Sequence, residues 1–415
     1  MTNQYRIPIP IGKKDWLFSI LNWLDTHFDY FSCFQNHKIQ YPEGAFPFCL
    51  YAGRQTVSAE KFSNFEEKQD LVGVLSYDYK NQIEKLSSLN PALVDCPEVA
   101  FFLPSMKIEK EGEVLLVHCD EELGFSDLFD YDFLSNTPVK VVPLTDRRKY
   151  FQDIQAIRKH IEEGDMYELN YCMAFSFEGK SWSPVVGFYE LMKVSPMPFS
   201  GLFKFGSKFL IAASPERFLK RKGREVIAQP IKGTIKRGND PVEDKALAEQ
   251  LLESEKERAE NLMIVDLMRN DLSKISETGA VKVIELFGVY PFSKVHQMIS
   301  TVGSTLKDKM NFWDIIHATF PMGSMTGAPK IKCMELIERY ENFKRGWFSG
   351  AFGILQSNGD FDFNVVIRSI VFDSAAQKGY FAVGSAITYD ADAAYEWEEC
   401  HLKAAAILEV LEKRS

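Results

Sequence analysis

Residues 349–389 read SGAFGILQSNGDFDFNVVIRSIVFDSAAQKGYFAVGSAITY. Three strand-like apolar segments follow one another here, namely SGAFGILQS, FDFNVVIRSIVFD and GYFAVGSAITY, with polar turn residues between them. A helix is predicted directly afterwards, from about residue 392 to residue 413. Hairpin-like strands with helices between them are typical of α+β proteins that contain sizeable antiparallel sheets.

The same pattern extends through the rest of the chain. Residues 1–144 alternate short apolar runs with turn signals, which predicts a β-rich N-terminal region with few helices. Residues 145–415 alternate predicted helices and strands, including helices at 145–163 and 241–276 and strands at 208–221 and 225–234. We expect the two regions to form one intertwined structural unit.

Composition narrows the possible functions. The chain has 415 residues, of which 46% are hydrophobic and 26% charged, as in soluble globular proteins that bury a large core. No apolar run is long enough to span a bilayer, and we expect no signal peptide. A net charge of −10 disfavours nucleic acid as a partner. Seven scattered cysteines without a CxxC pair disfavour a disulfide framework, so we expect a cytoplasmic protein.

Four glutamates form two pairs with helical spacing. Glu257 and Glu260 lie on the predicted helix 241–276, and Glu396 and Glu399 lie on the terminal helix. Residues three apart share one helix face, so both carboxylates of a pair point the same way. Two such pairs predict a site for an oxygen-preferring divalent cation, Mg²⁺ above all. Taken alone, either pair is more often a solvated helix face.

Two further features could bind an anionic ligand. The glycine-rich stretch FPMGSMTGAPK, residues 320–330, precedes a predicted helix, and backbone N–H groups at a helix start can bind an anion. The stretch also fits a simple connection between a loop and a helix. Arg368 interrupts the apolar segment FNVVIRSIV, where it either forms a structural ion pair or binds a ligand carboxylate through two hydrogen bonds.

Five motifs, in this order, resemble those of the chorismate-utilising enzymes: PIKGT, KERAENLMIVDLMRNDL, FPMGSMTGAPK, VVIRS and EWEECHLKA. The resemblance covers about residues 150–412, and LVGVLSYDYKNQIEKL at residues 71–86 extends it towards the N-terminus. It implies an α/β/β/α sandwich of four layers, in which two orthogonally packed, largely antiparallel sheets lie between helices. It also implies chorismate as the substrate and one Mg²⁺ on the acidic helices.

The resemblance assigns roles to the acidic residues. Glu260 and Glu399 match the leading direct ligands of the metal, while Glu257 and Glu396 match groups that act through water or as further ligands. The metal would bind the ring carboxylate of chorismate and activate the ring for substitution. Lys403 matches a lysine that holds this acidic cluster together beside the substrate.

The same resemblance assigns the substrate contacts. Arg368 matches the arginine that binds the enolpyruvyl carboxylate, and Gly384 matches a glycine whose backbone N–H faces the same group. Ser324 falls where the family has a small hydroxyl residue near the ring hydroxyl of the substrate. The remaining residues assigned to substrate binding adjoin these motifs: Gly323, Ser385 and Thr234.

Lys232 in PIKGT distinguishes subfamilies within the resemblance. Aminodeoxychorismate synthases have lysine in this position, whereas anthranilate, isochorismate and salicylate synthases generally have alanine. The implied role is nucleophilic: the amine attacks C2, the C4 hydroxyl departs, and ammonia then attacks C4 and displaces the lysine. Such an amine must be neutral, so burial and the metal should lower the pKa of Lys232. Without the family, a lysine in a turn flanked by Pro and Gly is more often solvated or a carboxylate anchor.

Three positions depart from the family pattern. Glu168 replaces a glutamine in GDMYELN, which argues against isochorismate and salicylate synthesis and leaves a pairing with Lys232 open. Gln297 replaces a catalytic histidine of anthranilate synthase, so the acid for the departing hydroxyl is unassigned. Its neighbour His296 is expected to be a packed strand residue, because adjacent strand residues face opposite ways. Ala386 replaces a glycine. Lys232, Glu168 and Gln297 are the candidate catalytic residues.

The resemblance is therefore greatest to enzymes that aminate chorismate at C4, on the route to 4-aminobenzoate and folate. No glutaminase triad region is evident, so ammonia is expected from a separate glutamine amidotransferase subunit. Anthranilate synthase component I is the enzymatic alternative. A catalytically impaired subunit that only binds a ligand or regulates a partner is the alternative outside catalysis, and the intact acidic quartet argues against it.

Overall fold

The computed structural model describes residues 3–57 and 69–413. Within these ranges lie nine α-helices: α1 (Trp16–His27), α2 (Lys80–Ile83), α3 (Arg147–Glu162), α4 (Pro184–Val194), α5 (Pro241–Glu253), α6 (Glu255–Ile275), α7 (Phe312–Thr319), α8 (Lys330–Tyr340) and α9 (Ala393–Glu412). The predicted helices at 145–163 and 392–413 are confirmed as α3 and α9. None of the described helices is long and apolar enough to cross a membrane.

The same ranges contain the following β-strands: β1 (Asn3–Pro8), β2 (Tyr30–Gln35), β3 (Cys49–Gly53), β4 (Gln55–Val57), β5 (Leu71–Leu75), β6 (Val99–Leu103), β7 (Met106–Glu111), β8 (Val114–Cys119), β9 (Val141–Pro143), β10 (Glu168–Glu178), β11 (Phe199–Phe205), β12 (Lys208–Ser214), β13 (Arg217–Lys222), β14 (Glu225–Gln229), β15 (Ile231–Lys236), β16 (Lys282–Pro291), β17 (Val295–Thr305), β18 (Gly327–Ala328), β19 (Ala351–Leu355), β20 (Phe361–Val365), β21 (Ser369–Asp373) and β22 (Lys378–Ile387).

These strands form two antiparallel sheets. The larger sheet has twelve strands in the order β1-β8-β7-β3-β2-β11-β12-β21-β22-β10-β18, with β9 paired to β10. The smaller sheet has ten strands in the order β15-β17-β14-β13-β20-β19-β5-β6-β4, with β16 paired to β17. Both sheets combine strands from before and after residue 144. The predicted α+β class with large antiparallel sheets is confirmed.

Aromatic side chains fill the space between the sheets. Phe34 of β2 stacks on Phe352 of β19, with ring centroids 4.9 Å apart and planes 9° apart. Gly201 of β11 permits this approach, since a Cβ there would lie 2.4 Å from the Phe352 ring. Burial of one such ring contributes about 1.5–3 kcal/mol. Helices α3, α4 and α9 pack against the larger sheet and α5 and α6 against the smaller one, so the sheets lie between helical layers.

Two of the predicted strands each divide at a corner and change sheet. Residues 361–373 form β20 of the smaller sheet and β21 of the larger, and residues 208–221 form β12 of the larger sheet and β13 of the smaller. The prediction of single strands is therefore wrong at both places. Apolar patterning does not reveal the corners, because the residues on either side of each are buried.

The two corners lie side by side. Arg368 is at the first corner with φ +51°, and Glu216 is at the second, directly after Pro215. Proline has no N–H for a sheet ladder, which favours a break there. The Val365 N–H donates to the Glu216 carbonyl over 3.0 Å. Backbone hydrogen bonds thus join the two corners where the strands pass from one sheet to the other, and the Ala213 N–H likewise donates to the Arg368 carbonyl over 3.1 Å.

The predicted helix 241–276 is two helices rather than one. Helix α5 ends at Glu253, and α6 begins at Glu255 after Ser254, whose backbone is extended at φ −64° and ψ 110°. The Ser254 hydroxyl accepts a hydrogen bond from the Glu257 N–H over 3.4 Å. A serine followed three residues later by glutamate is a helix-start signal that the sequence carries.

Replacing Ser254 by alanine should lower the free energy of unfolding by about 1 kcal/mol, because the first turn of α6 loses its N-cap acceptor. Ser273→Ala on the exposed side of the same helix is the control and should change stability by no more than about 0.5 kcal/mol. Urea unfolding followed by circular dichroism measures both. Equal effects of the two replacements would contradict the capping role.

Candidate active site

Lys232 lies in β15, at an edge of the smaller sheet. The pairing of β15 with β17 shifts register between Ile231 and Thr234, and Gly233 between them has φ +94°. The lysine therefore lies in an irregular strand, in agreement with the predicted strand 225–234 and not in a turn, and such irregularities re-aim side chains. Its Nζ donates to Glu168 Oε1 over 2.8 Å, and its side chain is 12% exposed. A solvated lysine is excluded.

The charges around Lys232 keep its amine protonated. Burial acts to lower the pKa of Lys232, as expected from the sequence. The carboxylates of Glu168, Glu260 and Glu216 outweigh burial and raise that pKa above its ordinary value. The expected lowering is not found, so a nucleophilic role for this amine requires a group that takes its proton.

Glu168 begins β10, which pairs with β22 and β18 in the larger sheet. Its side chain is 1% exposed. Oε1 bonds Lys232, whereas Oε2 is buried without a hydrogen-bond partner among the described residues. The pairing of Glu168 with Lys232 that the sequence left open is confirmed, and it joins one strand of each sheet.

Glu216 is a site residue that sequence reasoning missed. It is buried at the corner between β12 and β13, and Ser324 donates a hydrogen bond to its Oε1 over 2.7 Å. Burial raises the pKa of Glu216 to about 7, although the Ser324 hydroxyl and the Lys232 charge oppose the rise. A carboxylate in the apolar segment 208–221 was the available signal, since buried glutamates are rare. Near neutral pH this group can give a proton.

The structure brings the two predicted glutamate pairs into one region. Glu257 and Glu260 lie on α6, and Glu396 and Glu399 lie on α9. The helices touch through Lys256, whose Nζ is 4.9 Å from the centre of the Tyr395 ring. The cluster also borders Lys232, because the charges of Glu260 and Glu168 act on each other and on that lysine.

Burial and the crowding of the carboxylates raise the pKa of Glu396 and Glu260. Burial and then the charge of Glu399 raise the pKa of Glu396 to about 7. Burial raises the pKa of Glu260 to about 6, with Glu257 adding to the rise and Lys232 opposing it. A divalent cation relieves this kind of repulsion. The donor set and its charge therefore fit Mg²⁺.

No three of the four glutamates hold potential ligand atoms that all lie within 4.8 Å of one another in the described part of the chain. Among the described residues, the group of three whose potential ligand atoms all lie within 4.8 Å of one another is His160, Glu163 and Asp165, outside the quartet. There the histidine nitrogens already face Asp165 Oδ2 and the Tyr340 hydroxyl. Magnesium usually takes one or two carboxylates and keeps water or substrate in its other positions, so a magnesium site does not require three carboxylates close together.

Lys403 links the acidic cluster to β22. Its Nζ lies 2.5 Å from Glu399 Oε1 and donates to the Gly384 carbonyl over 2.8 Å. Burial acts to raise the pKa of Glu399, but Lys403 outweighs it and the pKa is lowered. Glu399 therefore stays ionised beside its more protonated neighbours, which agrees with the expected role of Lys403.

Arg368 has the properties of a binding group for an anion. Its side chain is half-buried at the corner between β20 and β21, and burial lowers the pKa of its guanidinium. No hydrogen bond or ion pair joins that guanidinium to another side chain or carbonyl in the described ranges. The structural ion pair that the sequence left open is thus not formed, and five donors are available to a ligand.

Gly384 and Ser385 lie in the C-terminal half of β22. A Cβ on Gly384 would lie 2.5 Å from Cys172 Sγ, so only glycine fits against β10 here. The buried Ser385 hydroxyl lies 3.1 Å from the Tyr150 hydroxyl. These contacts hold β22 against β10 and α3.

The remaining predicted substrate contacts lie on a turn next to Glu216 and on the strand of Lys232 itself. Gly323 and Ser324 lie in a short 3₁₀ turn at residues 323–325, where a Cβ on Gly323 would be 2.4 Å from Leu267. Thr234 is exposed on β15, two residues after the lysine. The expected helix start after this stretch is confirmed, because α8 begins at Lys330.

Gln297 is 3% exposed on β17, opposite Thr234, and its Oε1 has no partner among the described residues. No hydrogen bond joins it to Lys232 or Glu168 within the described ranges. His296 lies 2.9 Å from Asp244 Oδ1 through Nε2. Its expected role as a packed strand residue is confirmed.

The chain is similar to known proteins along most of its length. Residues 46–409 match the family described as chorismate binding enzyme. The chain is 33% identical over 353 residues to aminodeoxychorismate synthase component 1 of Salmonella typhimurium. This alignment covers 82% of this chain and 76% of that protein. It is 33% identical over 361 residues to anthranilate synthase component 1 of Thermus thermophilus, and that alignment covers 82% of this chain and 77% of the Thermus protein. The crystal structure of anthranilate synthase component I from Streptococcus pneumoniae is similar with a TM-score of 0.74 and 25% identity, over 98% of this chain and 92% of that one.

Proposed function

The chain belongs to the chorismate-binding enzymes, and on that premise we propose that it is component 1, the large subunit, of an aminodeoxychorismate synthase. Such an enzyme replaces the C4 hydroxyl of chorismate by an amino group and gives 4-amino-4-deoxychorismate for 4-aminobenzoate and folate synthesis. The observation that carries the proposal is the buried amine of Lys232, 2.8 Å from Glu168, in the motif position of the family nucleophile. The similarity to synthases of this name supports it.

The proposed reaction passes through a covalent adduct on Lys232. Its Nζ forms a bond to C2, the ring double bond shifts, and the C4–O bond breaks. The hydroxyl takes a proton from Glu216 and leaves as water. Ammonia then forms a bond to C4, the double bond shifts back, and the C2–N bond to Lys232 breaks. Overall, ammonia is consumed, water is released, and an amino group replaces the C4 hydroxyl.

The other site residues orient the substrate. The free guanidinium of Arg368 binds the enolpyruvyl carboxylate through two hydrogen bonds. The backbone of Gly384 lies beside the same group, with its carbonyl held by Lys403 over 2.8 Å. The ring hydroxyl lies at Ser324 and Glu216, which are already hydrogen-bonded to each other. The leaving group is therefore adjacent to the proton donor.

Glu260 and Glu399 would hold Mg²⁺, with Glu257 and Glu396 acting as further ligands or through water. When bound, the ion would neutralise the ring carboxylate of chorismate and draw electron density from the ring. Lys403 contacts both Glu399 and the Gly384 carbonyl, so it fixes the distance between the acidic cluster and the substrate backbone contacts.

Component 1 implies a partner component. We propose that a separate glutamine amidotransferase subunit supplies ammonia and that the purified chain uses free ammonium without it. A product assay with chorismate, Mg²⁺ and ammonium tests the proposed function. Aminodeoxychorismate is the expected product. Anthranilate would instead establish the activity in the name of the Thermus relative, and failure to bind chorismate with Mg²⁺ would remove both activities.

Replacing Arg368 by lysine should raise KM for chorismate about thirtyfold, because an ammonium cannot reproduce the paired hydrogen bonds of the planar guanidinium, a loss of about 2 kcal/mol. The rate constant kcat should change less, since the reacting atoms lie elsewhere. Arg269→Lys, on the exposed side of α6, is the control and should leave KM unchanged. Steady-state kinetics of both variants at saturating ammonium measure the effect, and equal KM values would contradict the assignment.

Replacing Glu260 by glutamine should weaken Mg²⁺ binding at least about tenfold, the loss that even an outer-sphere partner causes. Isothermal titration calorimetry with chorismate present measures the affinity independently of turnover. Glu249→Gln, an exposed position on α5, is the control and should bind Mg²⁺ like the wild type. Unaltered affinity of the Glu260 variant would refute its assignment as a ligand.

A further inference from the structure

We infer, resting on the proposed function, that Glu168 is the base that makes Lys232 a nucleophile: its Oε1 takes a proton from Lys232 Nζ as the amine attacks chorismate. The two atoms lie 2.8 Å apart, in the range of a charge-assisted hydrogen bond. The side chain of Lys232 is 12% exposed and that of Glu168 1%, so water has little access to the pair. The proton passes directly from one residue to the other.

The surroundings of Glu168 make its carboxylate a ready acceptor. Each hydrogen bond that a carboxylate accepts stabilises its charged form. Here the Lys232 ammonium is the donor to Oε1, and the buried Oε2 has no partner within the described ranges.

Neighbouring carboxylates do not offer the same path. Glu216 Oε1 accepts from Ser324, and Glu260 lies 3.8 Å from Lys256. Neither forms a hydrogen bond or ion pair with Lys232 in the described part of the chain. The family pattern has glutamine in place of Glu168, and an amide does not take a proton in this way. The base is therefore a property of this chain's own departure from the pattern.

The proton balance closes within one turnover. Transfer from Lys232 to Glu168 leaves an amine whose lone pair forms the bond to C2. After ammonia has bonded to C4 and the C2–N bond has broken, the free amine takes the proton back from Glu168. The pair then returns to its starting state. The water that leaves carries a proton supplied by Glu216, and the ammonium formed at C4 gives a proton back to Glu216, so that this carboxyl is also restored.

The pH dependence of Glu168→Gln tests this role. In the wild type the proton moves within the pair, whereas in the variant Lys232 must first lose it to solvent. At a fixed concentration of free ammonia, kcat/KM for chorismate should fall about a hundredfold near neutral pH. The ratio of variant to wild type should then rise about tenfold per pH unit, while pH effects common to both proteins cancel.

Two further variants serve as controls for this test. Glu168→Asp keeps a carboxylate and should be slower than the wild type with a ratio independent of pH. Glu178→Gln, at the exposed end of the same strand, should match the wild type throughout. Aminodeoxychorismate formation with a pH-independent ratio for Glu168→Gln would overturn the base and leave the proposed function intact. A wild-type product other than aminodeoxychorismate would overturn both.

Discussion

Replacing Lys232 by alanine should lower kcat for aminodeoxychorismate formation at least about a thousandfold, equivalent to about 4 kcal/mol on the barrier. The amine is the group that bonds C2 in the proposed reaction, and no other amine donates to Glu168 in the described ranges. Lys236→Ala, exposed at the end of the same strand, is the matched control and should retain wild-type turnover.

The alanine variant also leaves Glu168 buried without its counterion, which by itself costs about 3–5 kcal/mol of stability. A second variant, Lys232→Gln combined with Glu168→Gln, avoids the unpaired charge and separates the loss of chemistry from the loss of folding. Melting curves and chorismate binding show whether each variant is folded. A double variant that is folded, binds chorismate and still turns over within about threefold of the wild type would rule out the nucleophile.

A mass measurement adds a readout that a positioning role would not produce. Wild-type protein incubated with chorismate and Mg²⁺ in the absence of ammonia should gain the mass of chorismate less one water. Peptide analysis should place the gain on Lys232, and Lys236→Ala should show the same adduct. Lack of any adduct on the wild type, together with normal turnover, would mean that ammonia attacks without a lysine intermediate.

Much of the site could be predicted from the sequence because each predicted feature depends on residues that are close together in the chain. The Glu-x-x-Glu spacing fixes two carboxylates on one helix face whatever the surrounding fold, and α6 and α9 carry both pairs as expected. Arg368 stands out because a charge in an apolar segment requires a partner. Lys232 was recognisable through its motif, and Glu168 was left open as its partner, whereas Glu216 was not foreseen.

The features that sequence reasoning missed depend on contacts across the fold. The corners at Glu216 and Arg368 lie within continuous apolar segments, so periodicity alone reads each segment as one strand. The raised pKa of Lys232 comes from carboxylates on β10, on α6 and at the corner before β13. The combined effect of these carboxylates on the pKa of Lys232 could not be predicted from the sequence, because Glu168 and Lys232 are 64 positions apart in the chain. The helix break at Ser254 was readable and shows that a cap signal can outweigh a continuous helical pattern.

Replacing Glu216 by glutamine should lower kcat about a hundredfold to ten-thousandfold, the range that a general acid contributes. Glutamine keeps the size of the side chain and still accepts the hydrogen bond from Ser324, but it has no proton to give to the departing hydroxyl. Glu225→Gln, on the exposed end of the next strand, is the control and should retain full activity. A Glu216 variant with wild-type turnover would exclude it as the acid.

The pH dependence of the wild type gives an independent test of Glu216. Burial raises the pKa of this carboxyl to about 7, so its acid form is present below that pH and is lost as the pH rises through it. At a fixed concentration of free ammonia, kcat/KM for chorismate should therefore fall above about pH 7, and this alkaline limb should be absent in Glu216→Gln.

Ser324→Ala should move that limb in a defined direction. The Ser324 hydroxyl donates to Glu216 Oε1 and stabilises the ionised carboxylate, so its removal should raise the pKa of Glu216 further. The alkaline limb should then appear at a higher pH than in the wild type. A limb that shifts to lower pH, or that persists unchanged in Glu216→Gln, would assign the titration to another group, whereas the upward shift ties the proton to the carboxyl at the corner between the two sheets.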